Sequence, residues 1–241
     1  MSLRDLPTRI GIWPEFASLD GVKVPIKGSF LAPKMRRHLM RGGYERAERK
    51  LLSLLVREGD RVIELGASLG IVTSLLKKKV GPTGKVAAVE ANRLLKPHFD
   101  RQLAVNNESA TLVHALGCPL WDGPIPEHVS SQRFSAVANS LSGRAAGAEG
   151  DDVPWFTFKD IAAKAGIDEP TVLMIDVEGA EKIWCEQAPR FPASVRTVIV
   201  EIHPHLIGPE KSGGCVQALV REGFEVAAIS GTVFGLVRPC L

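Results

Sequence analysis

The run of residues 61–70 constrains the fold more than any other part of the sequence. It is RVIELGASLG, a short apolar segment that ends in an acidic residue, turns on glycine and leads into a helical pattern at residues 71–79. A second apolar segment, residues 86–90, again ends on a carboxylate. A strand, a glycine turn, a helix and a second strand form the first unit of a nucleotide-binding sheet. The sequence therefore predicts a sheet that binds a ligand at its strand ends.

The spacing and chemistry of these residues indicate the ligand. Glu90 follows the glycine turn by about 20 residues, the spacing at which a carboxylate accepts hydrogen bonds from both ribose hydroxyls. A dinucleotide site requires Gly-x-Gly-x-x-Gly, but Ser68 and Ile71 occupy the second and third glycine positions counted from Gly66. Glu64 would repel a phosphate, whereas it suits the cationic S-adenosylmethionine (SAM). These residues favour SAM, with an NAD-dependent oxidoreductase as the alternative.

Short apolar segments alternate with helical patterns along most of the chain. This alternation is typical of α/β proteins in which helices cover both faces of a parallel sheet. The last two segments are joined by Ser230 and Gly231, which predicts a tight antiparallel hairpin. We expect a doubly wound, mostly parallel, seven-stranded sheet with an antiparallel C-terminal hairpin. Its predicted strands span residues 62–65, 86–89, 111–115, 172–175, 195–202, 225–229 and 232–237.

The chain length limits the number of domains. A chain of 241 residues is long enough for one α/β domain and too short for two ordinary ones. We assign residues 44–241 to this domain and residues 1–43 to an N-terminal extension. Residues 118–158 form an insertion that is rich in Pro, Gly and Ser. A segment of this length is commonly a lid or a binding loop, so we expect it to contact the substrate.

The composition is that of a soluble globular protein, with 45% hydrophobic and 24% charged residues. No apolar run approaches the roughly 20 residues that a membrane span requires. Residues 1–16 lack the apolar core of a signal peptide. The four cysteines are scattered without a Cys-x-x-Cys pair, which argues against a disulfide framework and a zinc site. We therefore expect a cytoplasmic protein.

The charge pattern bears on the partners of the chain. The formal net charge of +3 does not call for a nucleic-acid partner, but basic residues are concentrated between residues 34 and 50. There, Arg41, Glu45 and Arg49 have the i, i+4 spacing of a solvated helix face with weak charge pairs. An anionic substrate or surface partner is the alternative. We expect a small-molecule or glycan acceptor, no nucleic acid and no membrane span, and the sequence leaves a homo-oligomer open.

A second acidic group follows the fourth predicted strand. Asp176, Glu178 and Glu181 stand at its carboxyl end, where open α/β sheets bind ligands. The next strand is followed by His203. Methyl transfer to oxygen benefits from a base that takes the hydroxyl proton. We predict Asp176 and His203 for this role, because a histidine titrates near neutrality and a carboxylate can orient it.

Each of these residues has a second interpretation. Asp176 is also suited to cap a helix that begins near Gly179. His203 precedes a proline, so it would also serve to shape the loop. Asp176 and Glu201, at adjacent strand ends, would suit a magnesium ion, although we predict no metal.

Five blocks of the sequence together resemble the FkbM-type methyltransferases. The most specific block is DVEGAE at residues 176–181, and the likeness extends over roughly residues 44–208. In the glycine turn, Glu64 and Ser68 replace the Asp and Asn of the family's usual Asp-x-Gly-Ala-Asn-x-Gly. The blocks are residues 44–45, 59–70, 89–92, 175–181 and 200–204.

The resemblance implies a class I, Rossmann-like, SAM-dependent O-methyltransferase that acts on hydroxyls of sugars, glycolipids or secondary metabolites. It implies that Glu64, Gly66 and Ala67 hold the methionine part of SAM. It also implies that Asp176 and Glu178 face the reacting centre, so the predicted catalytic residues are Asp176, His203 and Glu178. The resemblance places Glu90 at the ribose, and the complete set of predicted donor-binding residues is Glu64, Gly66, Ala67, Ser68, Gly70, Glu90, Ala91 and Leu116.

Two other functions share features with this sequence: methylation of nucleic-acid bases, and SAM binding without turnover. A methyltransferase that acts on nucleic-acid bases normally carries an Asn/Asp-Pro-Pro-Tyr/Phe-like block where this chain has Asp-Val-Glu-Gly at residues 176–179. Nucleic acid is therefore disfavoured as the acceptor. A protein that binds SAM without turnover would show the same donor-site residues, so the sequence leaves this alternative open.

Overall fold

A seven-stranded sheet forms the centre of the computed structural model, which describes residues 13–27, 31–136, 143–145 and 150–239. Five neighbouring strands are parallel, and the last strand of the chain runs antiparallel to both of its neighbours. This arrangement confirms the predicted doubly wound sheet with its antiparallel C-terminal hairpin. The spatial order is β12 (Glu225–Ser230), β13 (Val233–Val237), β11 (Thr197–Glu201), β10 (Val172–Ile175), β3 (Arg61–Leu65), β4 (Lys85–Glu90) and β5 (Thr111–His114).

Helices connect the strands and cover both faces of the sheet. Local signals set some of their ends: a capping box formed by Thr157 and Asp160 starts the sixth helix, and Gly166 with positive φ ends it. Short 3-10 helices span Arg93–Leu95 and Ala180–Cys185. The α-helices are α1 (Pro33–Met40), α2 (Arg46–Leu55), α3 (Ile71–Val80), α4 (Lys96–Ala104), α5 (Glu127–Ser130), α6 (Phe158–Ala165), α7 (Pro204–Ile207) and α8 (Pro209–Arg221).

Alternate residues of the central strands enter two separate apolar cores, as expected for a sheet that is buried on both faces. In β10, Val172 and Met174 enter the core that also contains apolar residues of α2 and α3. Leu173 and Ile175 enter the other core, which contains apolar residues of α6 and α8. The sheet therefore holds the ends of β3 and β10 in fixed positions between two packed layers.

The predicted N-terminal extension packs onto this domain where it is described. Its elements are β1 (Phe16–Leu19), β2 (Val22–Pro25) and α1, and β1 pairs with β2 as an antiparallel hairpin. Leu19, Val24 and Leu39 belong to the same core as Val62 of the sheet. Residues 1–12 and 28–30 of the extension lie outside the described residues.

The predicted substrate loop, residues 118–158, contains short elements rather than one irregular segment. Besides α5, it contains β7 (Phe134–Ala136), β8 (Gly143–Ala145) and β9 (Trp155–Phe156), and β9 pairs with β6 (Leu116–Gly117). Residues 137–142 and 146–149 of this loop lie outside the described residues. Within the described ranges, none of the helices is long and apolar enough to cross a membrane.

Candidate functional site

The candidate site lies where β3 and β10 end side by side, at the point where the strand order reverses. Leu65 is in register with Ile175, so the turn after β3 meets the residue after β10. Gly66 has a φ of 89°, and a Cβ at this position would lie 2.1 Å from the backbone oxygen of Asp176. Glycine allows the backbone to approach this closely. The glycine turn and Asp176 therefore form one tightly packed corner.

Glu90, at the end of β4, has its carboxylate against the glycine turn. Its Oε2 accepts a hydrogen bond from the Ser68 N–H and its Oε1 accepts one from the Asn92 N–H, each at 2.7 Å. Burial raises the pKa of Glu90, although these hydrogen bonds oppose the shift. Each carboxylate oxygen has a second lone pair with which to accept another hydrogen bond. This orientation fits the predicted contact with the two ribose hydroxyls.

The residues predicted to hold the methionine part have partners within the protein. Glu64 is 2% exposed, and its Oε2 accepts a hydrogen bond of 2.6 Å from Thr73 Oγ1 in α3. Burial raises the pKa of Glu64 to about 8. The backbone N–H groups of Gly66 and Ala67 both donate to the oxygen of Val89. The contact of these residues with methionine stays a prediction.

Three further predicted donor-binding residues surround the turn and the end of β4. A Cβ on Gly70 would lie 2.7 Å from the Phe99 ring, so this glycine lets α4 pack against the turn. Ala91 packs against the small apolar cluster that contains Leu116. A cavity of about 210 Å³ adjoins Glu90 and is also lined by Phe99. The fold thus brings Ala91 and Leu116 together, and their contact with SAM stays a prediction.

His203 lies among four carboxylates at the ends of β10 and β11. Its Nδ1 is 3.2 Å from Glu181 Oε1, which also accepts a hydrogen bond of 2.8 Å from the His203 backbone N–H. Its Nε2 lies 3.4 Å from Asp176 Oδ1, 3.8 Å from Glu178 Oε2 and 3.8 Å from Glu201 Oε2. The fold therefore brings together all three residues that were predicted to be catalytic.

The charge of His203 differs from the sequence expectation. Burial alone would lower the pKa of His203, but the Asp176 and Glu181 carboxylates outweigh burial and raise it to about 10. The imidazole therefore carries a proton at neutral pH, and the predicted base that titrates near neutrality is wrong. His203 instead supplies positive charge among these carboxylates, and the role of Asp176 as a proton acceptor stays a prediction.

Glu181 orients His203 and also begins the helix that follows β10. Its Oε2 accepts a hydrogen bond of 2.9 Å from the Gly179 N–H, at the start of the 3-10 helix. Burial alone would raise the pKa of Glu181, but the hydrogen bonds from His203 hold it below its usual value. The alternative interpretation of Asp176 as the cap of this helix is wrong, because the residue at the N-cap position is Gly179 and no side chain caps the helix.

Two acidic residues near the start of α2 were missed by the sequence analysis. The carboxylate oxygens of Glu45 and Glu48 lie within 4.8 Å of one another and of Glu201. Burial, with the charge of Glu48 next, raises the pKa of Glu45 to about 9. The predicted charge pair between Glu45 and Arg49 on a solvated face is wrong, because Arg49 donates to Asp20 Oδ2 at 2.8 Å. The sequence feature that could have identified Glu45 is the block at residues 44–45, which is part of the family resemblance.

Comparisons with known proteins identify related sequences and folds. A sequence profile described as the methyltransferase FkbM domain matches residues 64–229. No curated protein matches the sequence significantly. A methyltransferase from Pyrococcus furiosus is similar in structure, at 14% identity and a TM-score of 0.46, over 97% of this chain and 94% of that chain.

Two other solved structures have the same general similarity. The precorrin-6y C5,15-methyltransferase from Geobacter metallireducens GS-15 is 14% identical with a TM-score of 0.44, over 80% of this chain and 86% of that chain. Aeropyrum pernix fibrillarin, in complex with S-adenosyl-L-methionine, is 16% identical with a TM-score of 0.42, over 79% of this chain and 71% of that chain.

Proposed function

The chain belongs to the FkbM methyltransferase family, and we propose that it methylates a hydroxyl oxygen of a sugar, glycolipid or secondary metabolite. As a methyltransferase of this family it uses SAM as the methyl donor. The observation that carries the proposed oxygen chemistry is the contact between Asp176 and His203, at 3.4 Å, beside the glycine turn. A carboxylate that is held in position at the edge of the crevice is a suitable acceptor for a hydroxyl proton.

The residues around the crevice would have different roles in the reaction. SAM, when bound, supplies an electrophilic methyl group for in-line attack by the acceptor oxygen. Glu90 would accept hydrogen bonds from the ribose hydroxyls. Asp176 would accept the proton of the acceptor hydroxyl, and a base of this kind contributes about 10²- to 10⁴-fold to the rate. His203 would hold Asp176 in place, because its Nε2 lies 3.4 Å from Asp176 Oδ1 and 3.8 Å from Glu178 Oε2.

Two other functions are less well supported. An NAD-dependent oxidoreductase disagrees with the family match and with the loop, in which Ser68 and Ile71 replace glycines. A protein that binds SAM without turnover would have little need for a buried, charged Glu181–His203–Asp176 chain, because burying such groups is costly. Chains of this kind are concentrated at functional sites. We therefore propose an active enzyme.

The test combines an acceptor screen with one substitution. The purified protein is incubated with radiolabelled SAM and a panel of sugars, glycosides and hydroxylated small molecules, with an RNA oligonucleotide included. We expect label transfer to a hydroxyl oxygen. Asp176→Asn should lower the single-turnover rate by about 10²-fold or more while the affinity for S-adenosylhomocysteine stays unchanged.

The exposed Asp168 provides a matched control, and Asp168→Asn should leave the rate unchanged. Transfer to the RNA alone would contradict the proposed acceptor class. An unchanged rate in Asp176→Asn would remove this residue from the proposed mechanism.

A further inference from the structure

The fold brings together two of the cysteines that are scattered in the sequence. Cys185 ends the 3-10 helix after β10, and Cys215 lies within α8. The two residues are 30 positions apart in the chain, yet their Sγ atoms are 4.0 Å apart, and both thiols are free. Cys185 is exposed, whereas Cys215 is fully buried. A small molecule in solution therefore reaches one sulfur, and the second sulfur lies directly behind it.

A glycine in α8 makes room for the Cys185 sulfur. A Cβ on Gly214 would lie 2.9 Å from Cys185 Sγ, which is too close for two such atoms. The missing side chain at residue 214 therefore allows this sulfur to lie against the helix, next to Cys215. A Cβ on the neighbouring Gly213 would meet none of the described residues within 4 Å outside its own helix. Cys185 Sγ also donates a hydrogen bond of 3.4 Å to the backbone oxygen of Lys211 in the same helix.

The two sulfurs are close enough to form a bond after a small movement. The sulfurs of a disulfide lie about 2.05 Å apart, so the present separation of 4.0 Å has to shorten by about 2 Å. Rotation of both side chains moves each sulfur on an arc around its own Cα–Cβ bond. Cys185 is also the last residue of a 3-10 helix, whose hydrogen bonds are weaker than those of an α-helix, so its backbone adjusts more easily.

Cys215 connects this pair to the reaction site. Its Sγ donates a hydrogen bond of 3.2 Å to the backbone oxygen of Glu181. The Glu181 carboxylate in turn accepts hydrogen bonds from the backbone N–H and from Nδ1 of His203. A disulfide has no S–H group, so its formation removes the Cys215 donor from the backbone oxygen of the buried Glu181. Oxidation of the pair therefore acts on the residue that orients His203.

We propose that Cys185 and Cys215 are a redox-sensitive thiol pair, which hydrogen peroxide oxidises to a disulfide that changes the environment of His203. In the first step, the Cys185 thiolate attacks one peroxide oxygen, the O–O bond breaks, and the released hydroxide takes up the Cys185 proton to form water. In the second step, Cys215 attacks the sulfur of the resulting sulfenic acid, the S–O bond breaks, and hydroxide leaves with the Cys215 proton as water. Two thiols are oxidised, and one peroxide is reduced to two waters.

The order of the two steps follows from the burial of the two sulfurs. Burial raises the pKa of the Cys215 thiol, so this residue reacts poorly with an oxidant in solution. Its reaction with Cys185 takes place within one folded chain, where the short distance replaces a bimolecular encounter. A dithiol reverses the reaction by thiol–disulfide exchange. An exposed sulfur beside a second thiol is the usual arrangement of redox-sensing cysteines.

The first experiment maps the bond itself. The full chain is treated with hydrogen peroxide under native conditions, its remaining thiols are blocked with N-ethylmaleimide, and it is digested with trypsin. Trypsin places the two cysteines on separate peptides, residues 183–190 and residues 212–221. We expect mass spectrometry to find these two peptides joined, and dithiothreitol to separate them.

Two kinds of variant test the geometry of the pair. Cys185→Ser should abolish the cross-link. Gly214→Ala keeps both thiols but occupies the space of the Cys185 sulfur, so it should slow cross-linking by about tenfold. Gly213→Ala is the matched control in the same helix and should cross-link at the rate of the wild type.

The second experiment measures the effect on the reaction site without an acceptor. The ring resonances of His203 are recorded by NMR in the reduced and in the oxidised chain. We expect them to shift on oxidation of the wild type, to return with dithiothreitol, and to stay unchanged in Cys185→Ser. A lower methylation rate in the oxidised chain, by about tenfold, rests on the proposed function as well.

The outcomes separate this proposal from the proposed function. Peroxide that leaves Cys185 and Cys215 unlinked, or links either of them to another cysteine, would overturn the thiol pair and leave the methyltransferase proposal standing. Equal cross-linking rates in Gly214→Ala and Gly213→Ala would contradict the described position of the Cys185 sulfur. A cross-link that leaves the His203 resonances unchanged would overturn the connection to the reaction site. A chain that cross-links as expected but binds no S-adenosylhomocysteine would support the pair and contradict the proposed function.

Discussion

Replacement of Gly66 by alanine tests whether the glycine turn and the end of β10 form one unit. Gly66 has a φ of 89°, and an added Cβ would lie 2.1 Å from the backbone oxygen of Asp176. The oxygen would have to move by about 1 Å to reach an acceptable contact. Because the backbone of Asp176 carries the proposed proton acceptor, Gly66→Ala displaces that carboxylate from His203.

The expected magnitude has two parts. The positive φ costs an alanine about 1 kcal/mol relative to glycine. The overlap with Asp176 adds to this cost, and a displacement of about 1 Å in a catalytic group lowers the rate by about 10²-fold. Gly59→Ala isolates the first part, since Gly59 has a φ of 78° and its nearest neighbour, Thr83 Oγ1, would lie 3.7 Å from the Cβ.

Urea unfolding and single-turnover methylation are measured on both variants. We expect Gly66→Ala to lose more stability than Gly59→Ala and to lose about 10²-fold in rate, while Gly59→Ala keeps the rate of the wild type. Equal losses of stability together with an unchanged rate in Gly66→Ala would refute the contact between the turn and Asp176.

Two further predictions concern the buried charges. Glu181→Gln replaces the carboxylate that accepts hydrogen bonds from His203 with a neutral amide. The pKa of His203, followed by NMR, should therefore fall, and kcat should fall more than donor affinity. An unchanged pKa of His203 would contradict this prediction. Burial raises the pKa of Glu45 to about 9 and that of Glu64 to about 8. Because both pKa values are raised on folding, these groups contribute fully to folding stability below about pH 4.5, and the contribution is lost as pH rises through 8 to 9. Urea unfolding at pH 5, 7 and 9, without divalent cations, should show a falling stability, and a rising one would be incompatible with these shifts.

The sheet could be predicted from sequence because its signals are local. Apolar runs, glycine turns and the Ser230–Gly231 hairpin each depend on a few neighbouring residues, and every predicted strand of the sheet lies within two residues of its observed bounds. The position of Glu90 was also predictable, because a fixed number of residues separates it from the glycine turn. The helix expected after β10 is a short 3-10 helix, Ala180–Cys185, and no side chain caps its start.

The charge state of the site could not be predicted in the same way. The raised pKa of His203 results from Glu181 and Asp176, which approach it only when β10 and β11 are paired. Glu45 was assigned to a solvated helix face, and Glu48 was not singled out, because the i, i+4 pattern does not show which side of α2 meets the sheet. We expect acceptor choice to depend on residues 118–158, and no periodicity in their sequence predicts the short helix and strands that the structure shows there.

The most direct test of the account is a calorimetric titration with S-adenosylhomocysteine of the wild type and Glu90→Ala, with NAD as the control ligand and the exposed Glu225→Ala as the control variant. The account predicts micromolar binding to the wild type, no binding of NAD, and an affinity about 10²-fold weaker in Glu90→Ala, since two hydrogen bonds to a charged acceptor are lost. No binding of S-adenosylhomocysteine, binding of NAD instead, or full affinity in Glu90→Ala would contradict the proposed donor site.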